Sequence, residues 1–148
     1  MTGEVHRGAA RYEVDGESLP GGHAHIATHG CDIRFNGSAA GGEELPGPAD
    51  LLAAALAACI LKNVERFSKM LHFGYRRATI HVAVEREDPP PRIVRARYTL
   101  QVETDEPEAR LDLLHRNIRK FGTIAAAADL QGEVVAVRAP HGASTDPT

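Results

Sequence analysis

The 148-residue sequence contains no tryptophan, and its few Phe and Tyr residues bring the aromatics to only 5%. A core built from it must be aliphatic and Ala-rich, and the run of rings on which single-stranded bases stack is missing. Neither sign of charge dominates: 17 Lys and Arg against 20 Asp and Glu leave a formal net charge of −3. That balance gives no electrostatic footprint for nucleic acid or an anionic membrane, so neither is expected as a partner. Long hydrophobic runs are missing as well. The longest, Leu51 to Leu61, falls well short of the roughly 20 residues a bilayer span needs. The opening residues, MTGEVHRGAARYEV, lack the apolar centre of a signal peptide, which makes a cytoplasmic location the expectation. Cysteine is scarce: Cys31 and Cys59 are the only two. In a chain read as cytoplasmic they count as thiols before they count as a disulfide.

What is present fits one globular domain, with 43% hydrophobic and 25% charged residues over a length that can enclose a core. That domain is expected over residues 1–138. Residues 139–148, polar and punctuated by Pro and Gly, are expected to form a disordered tail. Along the chain, Val5 to Val14 reads as a first strand, with Asp15-Gly16 as a turn and Leu19 to Gly22 as a loop. His23 to Thr28 and Cys31 to Phe35 read as two further strands joined by a tight turn at His29-Gly30. Asn36 to Gly47 holds four Gly in twelve residues and has the composition of a loop that can cover a site.

The strongest element begins at Pro48. Gly47 at the cap, Pro48 at the first helical position and Asp50 in the first turn make a good helix start. The spacing predicts a helix from Pro48 to Leu71, about 36 Å long, stopping near Gly74. Its first half is apolar all round and is expected to be buried on every side, which is a first hint of a dimer. Ala78 to Glu85 and Ile93 to Glu103 then alternate as strands around the stiff Pro89-Pro90-Pro91 connection. Thr104 to Glu108 carries an Asp105-x-x-Glu108 capping box for a helix bearing Leu111, Leu113, Leu114, Ile118 and Phe121. Gly122 punctuates this helix, Thr123 can cap a short turn from Ile124 to Leu130, and Glu133 to Val137 reads as a last strand.

The segment Gly47-Pro48-Ala49-Asp50-Leu51-Leu52-Ala53-Ala54-Ala55-Leu56-Ala57-Ala58-Cys59 resembles the signature of the OsmC/Ohr family (osmotically inducible protein C, organic hydroperoxide resistance). There an acidic-Leu-Leu start leads into a small-residue helix ending at a reactive cysteine. The later hairpin and the Arg119-Lys120-Phe121-Gly122-Thr123 turn follow the family layout, and the resemblance spans roughly residues 5 to 137. It implies an α+β class and an OsmC-like fold, with antiparallel sheets packed around a long central helix in an intertwined homodimer. It also implies a thiol-dependent hydroperoxidase, with Cys59 as the nucleophile, Asp50 at the acidic position and an N-terminal Arg, Arg7 or Arg11, assisting. No cofactor and no metal are expected. The chemistry needs a thiolate, stabilised by a nearby cation or by hydrogen-bond donors, and leaves a sulfenic acid for a second thiol to condense with.

One departure bears on this directly. The family's second, resolving cysteine falls where this sequence has Gly122-Thr123, and no cysteine follows Cys59. Three readings of Cys59 stay open: a one-Cys peroxidase resolved by an external thiol, a partner for Cys31, or a small buried hydrophobe in a protein without the chemistry. In the last case a small apolar ligand at the dimer interface is the expected partner. Asp50 lies nine residues before Cys59, on the opposite helix face at 100° per residue, so it can serve its own helix start, the plainer role, or the site of the other subunit. Arg66 shares the Cys59 face two turns on and reads as a solvated or dimer-flanking charge. A separate constellation, His23, His25, His29 and Cys31, has the parity of one strand face and the chemistry of metal ligands, but the turn at His29-Gly30 interrupts it. A solvated His-rich edge is the reading preferred. His81 and His115 read as structural histidines.

Overall fold

A computed structural model describes residues 8–39, 44–122 and 130–140. Its contacts divide the chain into two compact units, residues 1–48 and 49–148.

The first unit is a three-stranded antiparallel sheet, β1 (Asp15–Leu19), β2 (His23–Thr28) and β3 (Cys31–Asn36), in that order. Positive φ at both His29 (47°) and Gly30 (75°) gives the β2–β3 hairpin the two-residue turn whose twist matches its strands. Thr28 therefore pairs with Cys31, Ala27 with Asp32 and His25 with Arg34. At the other end of β2, Gly22 sits at φ 89° against residue 38, where an added Cβ would lie 2.6 Å from the Ser38 Cβ.

The expected strand over Val5 to Val14 is not formed. Residues 5–7 lie outside the described residues, 8–14 join no ladder, and β1 starts at Asp15, where a turn was expected. The cause is the partner rather than the segment. The turn at Pro20–Gly22 fixes the register, and β2 ends at Thr28, so the pairing runs out at Asp15↔Ala27. Tyr12 and Val14, which suggested the strand, are 85% and 63% exposed.

The second unit holds α1 (Pro48–Leu71), β4 (Arg77–Glu87), β5 (Arg92–Glu103), α2 (Glu108–Phe121) and β6 (Leu130–Val137). The helix α1 has the predicted limits and stops just before Gly74, at His72. His72 takes the left-handed conformation (φ 50°), and the Phe73 N–H donates to the Ser68 carbonyl at 2.8 Å. Arg110 of α2 donates to the Leu71 and His72 carbonyls at 2.7 and 3.1 Å, closing the orphaned end of the helix.

The strands β4 and β5 pair antiparallel with a register shift at Glu85/Arg86. In contrast, β6 pairs with β5 in parallel, Tyr98 opposite Gly132 and Leu100 opposite Val134. The second sheet is thus mixed rather than antiparallel, and α2 supplies the crossover that a parallel pair requires. Even-numbered residues of β5 (Ala96, Tyr98, Leu100, Val102) point inward. With Ile60, Val64 and Phe67 of α1 and Leu111, Leu114 and Ile118 of α2 they make a core of Leu, Ile and Val that also holds the rings of Phe67, Phe73 and Tyr98, where an Ala-rich one was expected.

The expected capping box is absent. The N-cap is Pro107, with no side-chain cap bond. Thr104, fully buried, donates its hydroxyl to the Gly74 carbonyl (2.6 Å) and accepts from the Glu106 N–H (3.0 Å), which sets the turn before α2. Thr123 and residues 124–129 lie outside the described residues, as do residues 141–148 of the tail. Leu130 belongs to β6, which begins three residues before the predicted strand. Among the described residues no helix is long and apolar enough to cross a membrane.

Candidate functional site

The site starts from α1. Pro48 opens it, Asp50 lies in its first turn, and uninterrupted Leu and Ala with no β-branched residue before Ile60 carry it to Cys59. Of the apolar first half only Leu56 and Ile60 are buried. Leu52 and Leu61 are each 37% exposed, and Ala54, Ala55 and Ala58 also face outward. Burial on every side is therefore not achieved within one chain.

Cys59 is a free thiol of intermediate burial between these two kinds of neighbour. One turn further on, Asn63 is 8% exposed, and its amide Nδ2 donates to the Cys59 Sγ at 3.7 Å. The sequence reading missed Asn63, although the i,i+4 spacing that brings the two side chains together on a helix was there to be seen.

The remaining expected participants are placed as follows. Asp50 shares α1 with Cys59 but lies nine residues earlier, on the opposite side of the helix. Arg66 lays its guanidinium over the Phe67 ring, 5.3 Å from the centroid. Arg11, in the amino-terminal unit, forms an ion pair with Glu13 at 2.6 Å, both side chains well exposed. Arg7 lies outside the described residues. Gly122 directly follows α2 as its C-cap.

Cys31 is a second free thiol, exposed at the start of β3. Its parity with His23 and His25 misleads. Cys31 pairs with Thr28, so the two-residue turn puts it on the opposite sheet face from His23 and His25. Those histidines instead share a face with Glu17, Arg34 and Asn36. Among the described residues no group of three or more His, Cys, Asp and Glu side chains converges to hold a metal ion.

A second polar pair sits in the carboxy-terminal unit. The Tyr98 hydroxyl and His115 Nε2 share a hydrogen bond of 2.6 Å, their rings edge to face at 5.8 Å. Burial raises the Tyr98 pKa, with Arg119 opposing. Burial, then Arg119, lowers that of His115, with Asp112 opposing. The Tyr98 ring occupies the space over Gly132, where an added Cβ would come within 1.9 Å of it. No spacing in the sequence advertises this pair, because its members come from different elements. His81, by contrast, is exposed on β4.

A sequence model of the family described as OsmC-like protein matches residues 41–135. Comparison with curated protein sequences yields no match. Among solved structures, the chain is similar to an OsmC-like protein from Mycoplasma pneumoniae (12% identity, 88% of this chain and 99% of that one, TM-score 0.78). It is also similar to an organic hydroperoxide resistance protein OsmC from Legionella pneumophila (13%, 86% and 98%, 0.64). A third is the organic hydroperoxide resistance protein OhrB of Bacillus subtilis (16%, 85% and 98%, 0.60). At such identities these likenesses speak for the fold. With the family match over most of the chain, and two helices and two small sheets in the α+β arrangement of those structures, the protein belongs to the OsmC-like family.

Proposed function

We propose that this protein reduces organic hydroperoxides through Cys59 as a one-Cys thiol enzyme. The observation that carries the reading is a free, partly exposed cysteine closing the small-residue stretch of α1 in a member of this family. Hydroperoxide resistance is named for two of the similar structures.

The thiolate attacks the terminal oxygen of the hydroperoxide. The O–O bond breaks, an S–O bond forms, and the alkoxide leaves as alcohol after taking a proton. An external thiol then condenses with the sulfenic acid, releasing water, and a second thiol reduces the mixed disulfide. Turnover requires an outside reductant for its two electrons, and in the one-Cys scheme that thiol also resolves the sulfenate; a reducing cytoplasm is the setting that supplies it. The cation assisting the thiolate is assigned to Arg11 or Arg7, with Asp50 at the helix start. A second copy of the chain is the proposed cover for Leu52, Leu61 and the exposed alanines between them.

One observation favours a second reading. The absence of a later cysteine suits a family member that binds a small apolar ligand at the dimer interface, with Cys59 only lining the pocket. Turnover separates the two. Consumption of cumene hydroperoxide in the presence of dithiothreitol is expected for wild type and Cys31→Ser, and is expected to vanish in Cys59→Ser. Equal background consumption by all three proteins contradicts the enzyme reading.

A further inference from the structure

Asn63 is an unusual residue for its place. Asparagine is a poor helix former in a helix interior, and an amide taken out of water costs free energy unless its groups are bonded. Yet Asn63 stands mid-helix in α1 and is 8% exposed, with its amide donating to the Cys59 sulfur at 3.7 Å. A neutral thiol is a weak acceptor and returns little for such a donor. An anionic sulfur or a sulfenate oxygen returns far more, since hydrogen bonds to ionised acceptors are roughly twice as strong. The contact is therefore worth more once the sulfur is an anion or carries the transferred oxygen than it is to a neutral thiol.

We infer that Asn63 is a positioning residue for Cys59, its amide holding the sulfur in place and donating to the attacking thiolate and to the sulfenate that oxygen transfer leaves. The inference rests on the thiol-peroxidase reading for its purpose, and on the Asn63–Cys59 contact for its geometry. It also answers the missing resolving cysteine. In the one-Cys reading, with no cysteine downstream of Cys59, the sulfenate persists until an external thiol arrives. A donor one helical turn away can hold the new oxygen during that interval. The spacing makes the arrangement robust, because side chains four apart on a helix stay neighbours whatever the rest of the protein does.

The test uses the full chain carrying Cys31→Ser, so that Cys59 is the only thiol, with Asn63→Leu, Asn63→Asp and Asn63→Gln added singly. Two rates are measured at one pH: sulfenate formation with cumene hydroperoxide, trapped and read by intact mass, and alkylation by iodoacetamide. Thermal unfolding is followed in parallel. Asn63→Leu keeps the branched shape and removes the amide; it is expected to slow both reactions about tenfold while the unfolding midpoint holds or rises. Asn63→Asp, which sets a carboxylate against the sulfur, is expected to be slower still, and Asn63→Gln, which restores an amide, to recover part of the rate. Leu and Asp variants that react at the parent's rate overturn the inference, as does a loss that only tracks the unfolded fraction. A parent that is alkylated but never oxidised refutes the peroxidase reading, and the alkylation rates then still decide the role of Asn63.

Discussion

The two units of this chain bury very different amounts of apolar surface. Among the described residues, the carboxy-terminal unit buries twelve hydrophobic side chains, ten of them in one cluster, whereas the amino-terminal unit buries Ala24 alone. The consequence is that the two sheets hold their registers by different means. In β4 and β5 alternate residues face a packed core, so a slip by one residue would turn every inward side chain to water. Among the described residues, β1–β3 bury too little apolar surface to impose such a penalty. The register there rests on turns, the positive-φ pair His29-Gly30 above all. Small sheets of this kind are marginal on their own.

Substitutions sharpen this contrast. The largest effect is expected for Leu114→Ala, which empties a fully buried position between α2 and the sheet; chemical denaturation is expected to show a loss of about 2–5 kcal/mol. Gly132→Ala comes next. Its Cβ would meet the Tyr98 ring, which is held by His115 and has little room to retreat, so a loss of about 1–3 kcal/mol is expected from the same measurement. If Gly132→Ala is neutral, the Tyr98–His115 contact is softer than its geometry indicates.

A smaller effect is expected from pH. Burial and Arg119 hold His115 below its ordinary value, so folding favours the neutral ring. Its contribution is unaffected above about pH 6.5, where the unfolded histidine is neutral too, and stability falls as pH drops from there toward the depressed native value. Thermal midpoints taken between about pH 7.5 and 5 are expected to fall more steeply for wild type than for His115→Gln. Parallel profiles would remove His115 from the account. The smallest effect belongs to the amino-terminal sheet. Ile33→Ala, at a position 37% exposed, is expected to change stability by no more than about 0.5 kcal/mol. A loss as large as that of Leu114→Ala would show that something covers this sheet face in solution.

The same contrast explains what could be read from the sequence. The limits of α1 were legible because Gly47-Pro48 opens it and a long apolar pattern sustains it, and β2 because its turn residues bracket it. The strand expected at Val5 to Val14 failed because strand formation depends on a partner, and β2 is too short to pair that far back. The capping box failed because the Asp105 carboxylate pairs with Arg76, twenty-nine residues earlier, a contact no local pattern announces. The parallel pairing of β6 was equally hidden, since alternation looks the same in either direction. At the site, Cys59 stood out from its helix, while Asn63 was passed over because an asparagine among charged residues reads as surface. Its burial is a product of packing.

The proposed activity depends on the chemistry of one sulfur. Intact-mass analysis after one equivalent of cumene hydroperoxide, with a sulfenic-acid trap present, is expected to show rapid trapping in wild type and Cys31→Ser and none in Cys59→Ser. Wild-type protein that stays folded and leaves Cys59 unmodified would contradict the peroxidase reading and leave the ligand-binding one in its place.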